Sequence, residues 1–488
     1  MEAFYPTSPK EALVAAYVGQ SIRHLPTPAV VLNVAAARRN CQRMLQACDK
    51  LRLGWRAHVK THKTVELARL QVGTDAGRPV NLIVSTLAEA EFLLPALKEY
   101  RRQGRPVNVL YGLPIAQNAV PRLAAVAQAL GPGSISVLLD DPDQVPLLSR
   151  LHEQSGGLAP HAHIKIDMGG RRAGVAADGP RFLQVAEAAL EAHARGHALL
   201  SGLYSHAGHS YGGDSRVAAV RMMKDEVAAM LAGADRLRAR AADLPVLTLS
   251  AGASPTALSV QNIVVANGED EGQDGARPDT AAATTTENEL RTEAASLSAL
   301  FDSVKARGHA VEIHAGVYPT LDLQQLAAHS LSSSRLSWTD LALTVLAEVH
   351  SVYPGRGAGG TPEALIGAGG LALGREPCKA YDGMAMLTPW GRPGVAMPDG
   401  DVEHFRGWIV GRFSQEHGIL TWRAPPGGSQ AAEPSPDRGM VQVGQKVRLW
   451  PNHACITSSH FGWYFVVDED RAGREDEIVD VWIRAKGW

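Results

Sequence analysis

The sequence predicts an α/β fold: a (β/α)8 TIM-type barrel joined to a mostly antiparallel β domain. Three observations predict it. Short runs dense in Val, Ile and Leu recur eight times between residues 55 and 318, separated by Ala/Leu-rich stretches of helical texture. Strands that are buried on both faces read this way, and eight strand–helix alternations match the barrel. No Gly-x-Gly-x-x-Gly turn follows any of the eight runs, which argues against an open doubly wound sheet. From about Leu336 onward the helical period fades, and strand-like segments alternate with Gly/Pro turns.

In order, the barrel strands are expected at 55–61, 81–86, 107–113, 135–141, 163–169, 200–206, 246–252 and 311–318. Segments such as TLAEAEFLLPALKEYRRQ and GPRFLQVAEAALEAHARG supply helices between them. Residues 264–296 are rich in Gly, Asp, Glu, Thr and Ala and poor in large apolar side chains, so a mobile insertion is expected there. The early run TPAVVLNV precedes the first barrel strand and is assigned to the β domain. The resulting division is 1–34 joining the β domain, 35–330 as the barrel, and 336–488 as the C-terminal β domain.

Composition narrows the function. Apolar residues make up 45% and charged residues 20%, and the net charge is −2, so neither nucleic acid nor an anionic membrane is called for as partner. The four cysteines, at 41, 48, 378 and 455, are too scattered for a disulfide framework and fit a reducing compartment. The N-terminus lacks a basic stretch followed by a long apolar run, and no segment has the ~18 apolar residues of a membrane span; a cytoplasmic location is the expectation.

A barrel enzyme builds its site where the strands end. The first strand ends in His58-Val59-Lys60-Thr61-His62-Lys63, the fifth in Asp167-Met168-Gly169-Gly170-Arg171-Arg172, and the sixth in Tyr204-Ser205-His206, with Tyr211 beyond. The seventh leads into Ala251-Gly252-Ala253-Ser254-Pro255-Thr256, and the eighth ends in His314-Ala315-Gly316-Val317-Tyr318. Lys60 stands among apolar neighbours, where a lysine must be neutralised, paired or used covalently. On local sequence alone the favoured reading is a strand-end lysine reaching solvent. The small-residue loop offers N–H groups and hydroxyls suited to a phosphate, although an ordinary helix cap looks the same. In the β domain, His453 and Cys455 are two residues apart. In an extended strand they would present an imidazole and a thiolate to one ion, a donor set that suits zinc. His417 is a further candidate ligand or proton-transfer group.

Taken together, Arg56–Lys63, LYSHAGHSY, SAGASPT, Gly316-Val317-Tyr318 and PNHAC closely resemble the D-serine dehydratase and D-threonine aldolase family, alanine-racemase-like enzymes of fold type III that use pyridoxal 5'-phosphate (PLP). The family pattern has Pro where this chain has Ala57. The resemblance implies that Lys60 is the Schiff-base lysine, and that Tyr204 and Tyr211 line the cofactor. It implies that Ser254 and Thr256 belong to the phosphate loop, with Gly316, Val317 and Tyr318 nearby, and that Arg172 approaches the cofactor. It further implies Zn2+ on His453 and Cys455, and a homodimer in which one subunit's β domain completes the other's site. The His-x-Cys pair is similar to the zinc-dependent D-serine dehydratases, whereas the aldolases tend to carry Asp at the second position. The expected activity is therefore D-serine ammonia-lyase. A D-threonine aldolase and a non-catalytic PLP carrier are the alternatives.

Overall fold

The computed structural model describes residues 5–266, 281–398, 405–424 and 439–488. They fall into two compact units: one holds 5–6, 41–316 and 485–488, the other 7–40 and 317–484.

The first strand, β1 (Ala29–Asn33), belongs to the second unit. The next eight, β2 (Gly54–His58), β3 (Val80–Val84), β4 (Val107–Pro114), β5 (Ile135–Leu139), β6 (His161–Ile166), β7 (Leu199–Ser205), β8 (Thr248–Ala251) and β9 (Ala310–Ala315), close a parallel barrel in sequence order. Every predicted barrel strand is found, though β2 stops before Lys60. Local chemistry starts the helices between them: Thr64 caps Val65–Val72 and Thr86 caps Leu87–Arg102, each with its side-chain oxygen accepting a first-turn N–H.

The barrel interior carries a polar layer. Arg56 Nε donates to Glu312 Oε1 at 2.7 Å, and its Nη1 donates to Asn108 Oδ1 at 2.7 Å. Ser250 Oγ donates to the same Glu312 oxygen at 2.8 Å, and Asn81 Nδ2 donates to Oε2 at 3.2 Å. A buried charge pair persists only with its hydrogen bonds satisfied, and here both partners have them. Ile83, Leu110, Leu138 and Tyr204 form an apolar cluster from β3, β4, β5 and β7. Gly252, with φ +151°, allows the loop after β8 to pass against β9: a Cβ there would lie 2.0 Å from His314 O.

In the second unit, β10 (Leu343–Tyr353), β11 (Glu363–Ile366), β12 (Ala385–Leu387), β13 (Gly407–Phe413), β14 (Gly418–Arg423) and β15 (Lys446–Pro451) pair in a closed antiparallel ring, because β10 pairs with both β15 and β11. From β10 the sheet continues through β1 to β16 (Trp463–Val467) and β17 (Ile478–Ile483). β1 is antiparallel to β10 and parallel to β16. The ring is filled by apolar side chains such as Val345, Val349, Ile366, Trp408, Leu420 and Leu449.

Two expectations are corrected. The barrel does not run from 35 to 330: residues 35–40 and 317–330 group with the sheet. There Ala342 N donates to Thr320 O at 2.8 Å, and Asn40 Nδ2 donates to Pro319 O at 3.1 Å and Asp340 O at 2.9 Å. Conversely, Ala485 groups with the barrel, its N–H on Lys63 O at 2.8 Å. The stretch 264–296 is not one mobile insertion either. Its beginning completes helix Gln261–Ala266, and its end opens helix Ala281–Ala306; residues 267–280 lie outside the described residues. The long helix buries Leu290, Ala294, Leu297, Phe301 and Val304, a sparse apolar stripe at helical spacing. Its polar face pairs with helix Arg216–Arg238 through Arg216–Glu287 at 2.9 Å and Arg221–Glu293 at 2.9 Å.

Candidate active site

Lys60 lies two residues beyond β2, in a turn closed by Lys63 N on Val59 O at 2.8 Å. Lys63 takes the left-handed conformation (φ +54°), and its ammonium pairs with the buried Glu89 at 3.0 Å. Lys60 is half-buried, and among the described residues no acceptor stands within hydrogen-bonding distance of its Nζ. Its side chain passes over Gly316: a Cβ added there would lie 3.5 Å from Lys60 Cε and 3.4 Å from His58 Cβ.

Around this amine the barrel gathers nitrogen bases. The rings of Tyr204 and His314 stack with centroids 4.3 Å apart and 9° between planes. Lys165 Nζ stands 4.7 Å from the Tyr204 centroid. Burial, then the neighbouring Arg172, pushes Lys165 down to about 8. Burial, reinforced by Lys60, holds His58 and His206 well below the usual imidazole value, and both stay neutral. His206 also feels Arg172 and Lys165, so these cations share one neighbourhood. His314 is neutral for the same reason of burial, with Lys165 the largest charge acting on it.

The hydrogen bonds fix the His314 ring. Ser250 gives its one proton to Glu312, so its oxygen accepts from His314 Nδ1 at 3.0 Å. Nε2 then carries the lone pair. It is buried without a partner among the described residues.

The two loops after β7 and β8 are bound to one carboxylate. Glu226 accepts from Ala207 N at 2.8 Å, Ser205 Oγ at 3.2 Å and Thr256 Oγ1 at 2.9 Å. Burial raises Glu226 to about 7 despite these bonds. The Thr256 hydroxyl, accepting from Ala253 N at 2.9 Å as well, is thereby committed to the loop itself. What Thr256 can offer a phosphate is its first-turn N–H. Ser254 begins the same short helix, Ser254–Ser259, and is buried. Tyr211 is half-buried in the turn Gly208–Gly212. Arg172 is exposed, with its guanidinium beside Gly208. Val317 and Tyr318 are buried and belong to the second unit.

An unpaired amine, an unsatisfied buried ring nitrogen, flanking cations and an aromatic stack form a donor set that fits PLP, an anionic aromatic aldehyde. Sequence reasoning placed His314 at the end of the eighth strand without a role, and missed Lys165 and Glu226. Lys165 alternates with His163 along β6, and a charged residue in such a strand was the available signal; Glu226 in MMKDEVAAM gives none.

In the second unit, the strand argument for His453 and Cys455 does not hold. β15 ends at Pro451; His453 is the extended residue that precedes helix Ala454–Ser459, and Cys455 lies in its first turn. Both nevertheless act on the buried carboxyl of Asp322, which burial raises to about 6. Asp322 Oδ2 accepts from Ala454 N at 2.8 Å, and Gln324 Oε1 stands 2.5 Å from His453 Nδ1. An imidazole and a thiol beside a carboxylate fit a thiophilic divalent ion. Among the described residues no three-ligand cage is present, so the pair would provide two ligands and leave open positions. His417 sits in the exposed turn between β13 and β14, and is not joined to them in any such cluster.

A closed parallel barrel with an amine just past its first strand, together with an antiparallel sheet unit, defines an enzyme of the alanine-racemase-like fold. The alanine racemase N-terminal domain model matches residues 32–267, and the putative serine dehydratase domain model matches 342–467. D-serine dehydratase of Schizosaccharomyces pombe is 33% identical over 99% of this chain and 97% of its own length. That of Saccharomyces cerevisiae is 30% identical over 98% and 99%. Among solved structures, D-threo-3-hydroxyaspartate dehydratase from Delftia sp. HT23 superposes with a TM-score of 0.68 at 26% identity, covering 96% of this chain and all of that one. The chain belongs to the D-serine dehydratase family of fold-type-III, PLP-dependent lyases.

Proposed function

We propose that the protein is a PLP- and zinc-dependent D-serine ammonia-lyase, converting D-serine to pyruvate and ammonia. The observation that carries this reading is the Lys60 amine, half-buried past the first barrel strand with no acceptor among the described residues. Lys60 would hold the cofactor in the resting enzyme and, once released by substrate, take the α-proton onto Nζ. PLP supplies the electron sink for that proton's removal. Zinc on His453 and Cys455 would supply the Lewis acid that a leaving group as poor as hydroxide needs. A cysteine-to-alanine variant of a D-threo-3-hydroxyaspartate dehydratase is described in a metal-free form, which supports the metal reading here. Lys165 and Arg172 would pair with the anionic groups of cofactor and substrate. A homodimer with shared sites and a cytoplasmic location complete the reading; among the described residues no helix is long and apolar enough to cross a membrane.

A second reading is dehydration of D-threo-3-hydroxyaspartate, favoured by the 27% identity to the Delftia enzyme over 95% of this chain. D-threonine as a further substrate belongs to the same proposal. The test is to follow keto-acid formation from D-serine, D-threonine and D-threo-3-hydroxyaspartate, with and without a chelator. Pyruvate from D-serine that stops on chelation is the expected result. Glycine and acetaldehyde from D-threonine, with no keto acid from D-serine, would replace the lyase by an aldolase.

A further inference from the structure

The segment that carries His453 and Cys455 is held from one side by the turn Asp322-Leu323-Gln324-Gln325. Asp322 uses one carboxylate oxygen to cap Gln325 N at 3.0 Å and the other to accept from Ala454 N at 2.8 Å. Gln324 N donates to Asn452 O at 3.2 Å. Asn452 in turn donates to Glu376 O at 2.9 Å and to Gly383 O at 2.8 Å. The backbone on both sides of His453 is therefore fixed before any ion is considered.

The side chain of Gln324 fixes the ring itself. Its Nε2 donates to Pro377 O at 2.8 Å. A carbonyl accepts and never donates, so the amide cannot be turned round without setting oxygen against oxygen. Oε1 must then face His453 Nδ1, at 2.5 Å, and two acceptors cannot share that contact. The proton lies on Nδ1, and Nε2 is the lone-pair nitrogen.

We infer that Gln324 is a positioning residue of the metal site: its amide, oriented by Pro377 O, holds His453 as the Nδ1–H tautomer, so that Nε2 is the ligating nitrogen. This rests on the metal reading proposed above. Metal-bound histidines commonly donate their other N–H in this way, and loss of the partner weakens binding by about 10- to 100-fold.

The experiment measures zinc affinity by competition with a chromophoric chelator, using full-length protein stripped of metal and loaded with PLP. Gln324→Leu should weaken zinc at least 10-fold; equal affinity in Gln324→Leu and the native protein overturns the inference. His453→Ala is the control: if it too binds zinc normally, the metal reading fails, whereas loss of zinc in His453→Ala alone sinks only the role of Gln324. A measurement on the unmutated chain stands whether or not Gln324→Leu folds. In 15N-histidine-labelled, metal-free protein at about pH 9, where imidazole is neutral, the resonance missing from His453→Ala should show the proton on Nδ1. A proton on Nε2 would overturn the inference.

Discussion

At the scale of single residues, Lys60 is defined by what surrounds it. Its aliphatic stem passes over Gly316, and no acceptor stands at its tip among the described residues. Replacing it with Ala should abolish the visible absorbance of bound cofactor and the lyase rate together; a retained band would move the covalent role elsewhere, with Lys165 as the next candidate. Lys60 was singled out by the resemblance that Arg56–Lys63 carries, since a lysine at a strand end reads on its own as one reaching solvent. His314 was not, because its importance lies in a tautomer set by Ser250 and Glu312, residues that meet only when β8 and β9 pair. His453 and Cys455 were legible as a donor pair, but the reason given for their facing one ion was wrong: a chain that leaves its strand at Pro451 no longer alternates.

At the scale of elements, Glu226 ties the loop after β7 to the helix that follows β8. Its folded-state value of about 7 lies above the ordinary 4.5. Between those values the folded protein therefore holds more protons than the unfolded chain, and stability falls as pH rises; below about 4.5 the penalty is absent, and above 7 it is complete. The difference is on the order of 3 kcal/mol. Glu226→Gln should flatten the pH dependence of the melting temperature in this window; an unchanged slope would show that another group controls it. At the end of β8, Gly252→Ala should cost about 3 kcal/mol or more, seen as a lower melting temperature, because the new methyl meets a backbone carbonyl that has nowhere to move. Elements with strong periodicity were legible: all eight barrel strands were. Helix Ala281–Ala306 was not, since its apolar stripe is thin and its first residues are those of a polar linker.

At the scale of the whole molecule, the two chemistries reside in separate units, the amine in the barrel and the imidazole–thiol pair in the sheet. Chelation should accordingly abolish turnover and leave the visible cofactor absorbance in place; loss of both at once would mean that the metal is needed to keep the cofactor bound. The barrel was legible from the number of alternations, and the sheet from the change of texture near Leu336. Their boundaries were not, because long-range hydrogen bonds, such as those of Asn40 and Ala485, decide them. The pairing of β1 has one more consequence. Ala29 is opposite Leu346, and Val31 is opposite Phe465. As the chain leaves the ribosome, every strand of the barrel is available once Ala315 has emerged, whereas β1, made before the barrel, gains one neighbour only with β10 and the other only with β16. Its edge toward β16 therefore lacks a native partner long after the barrel can close, which makes Ala29–Asn33 a segment that gains from a chaperone during synthesis.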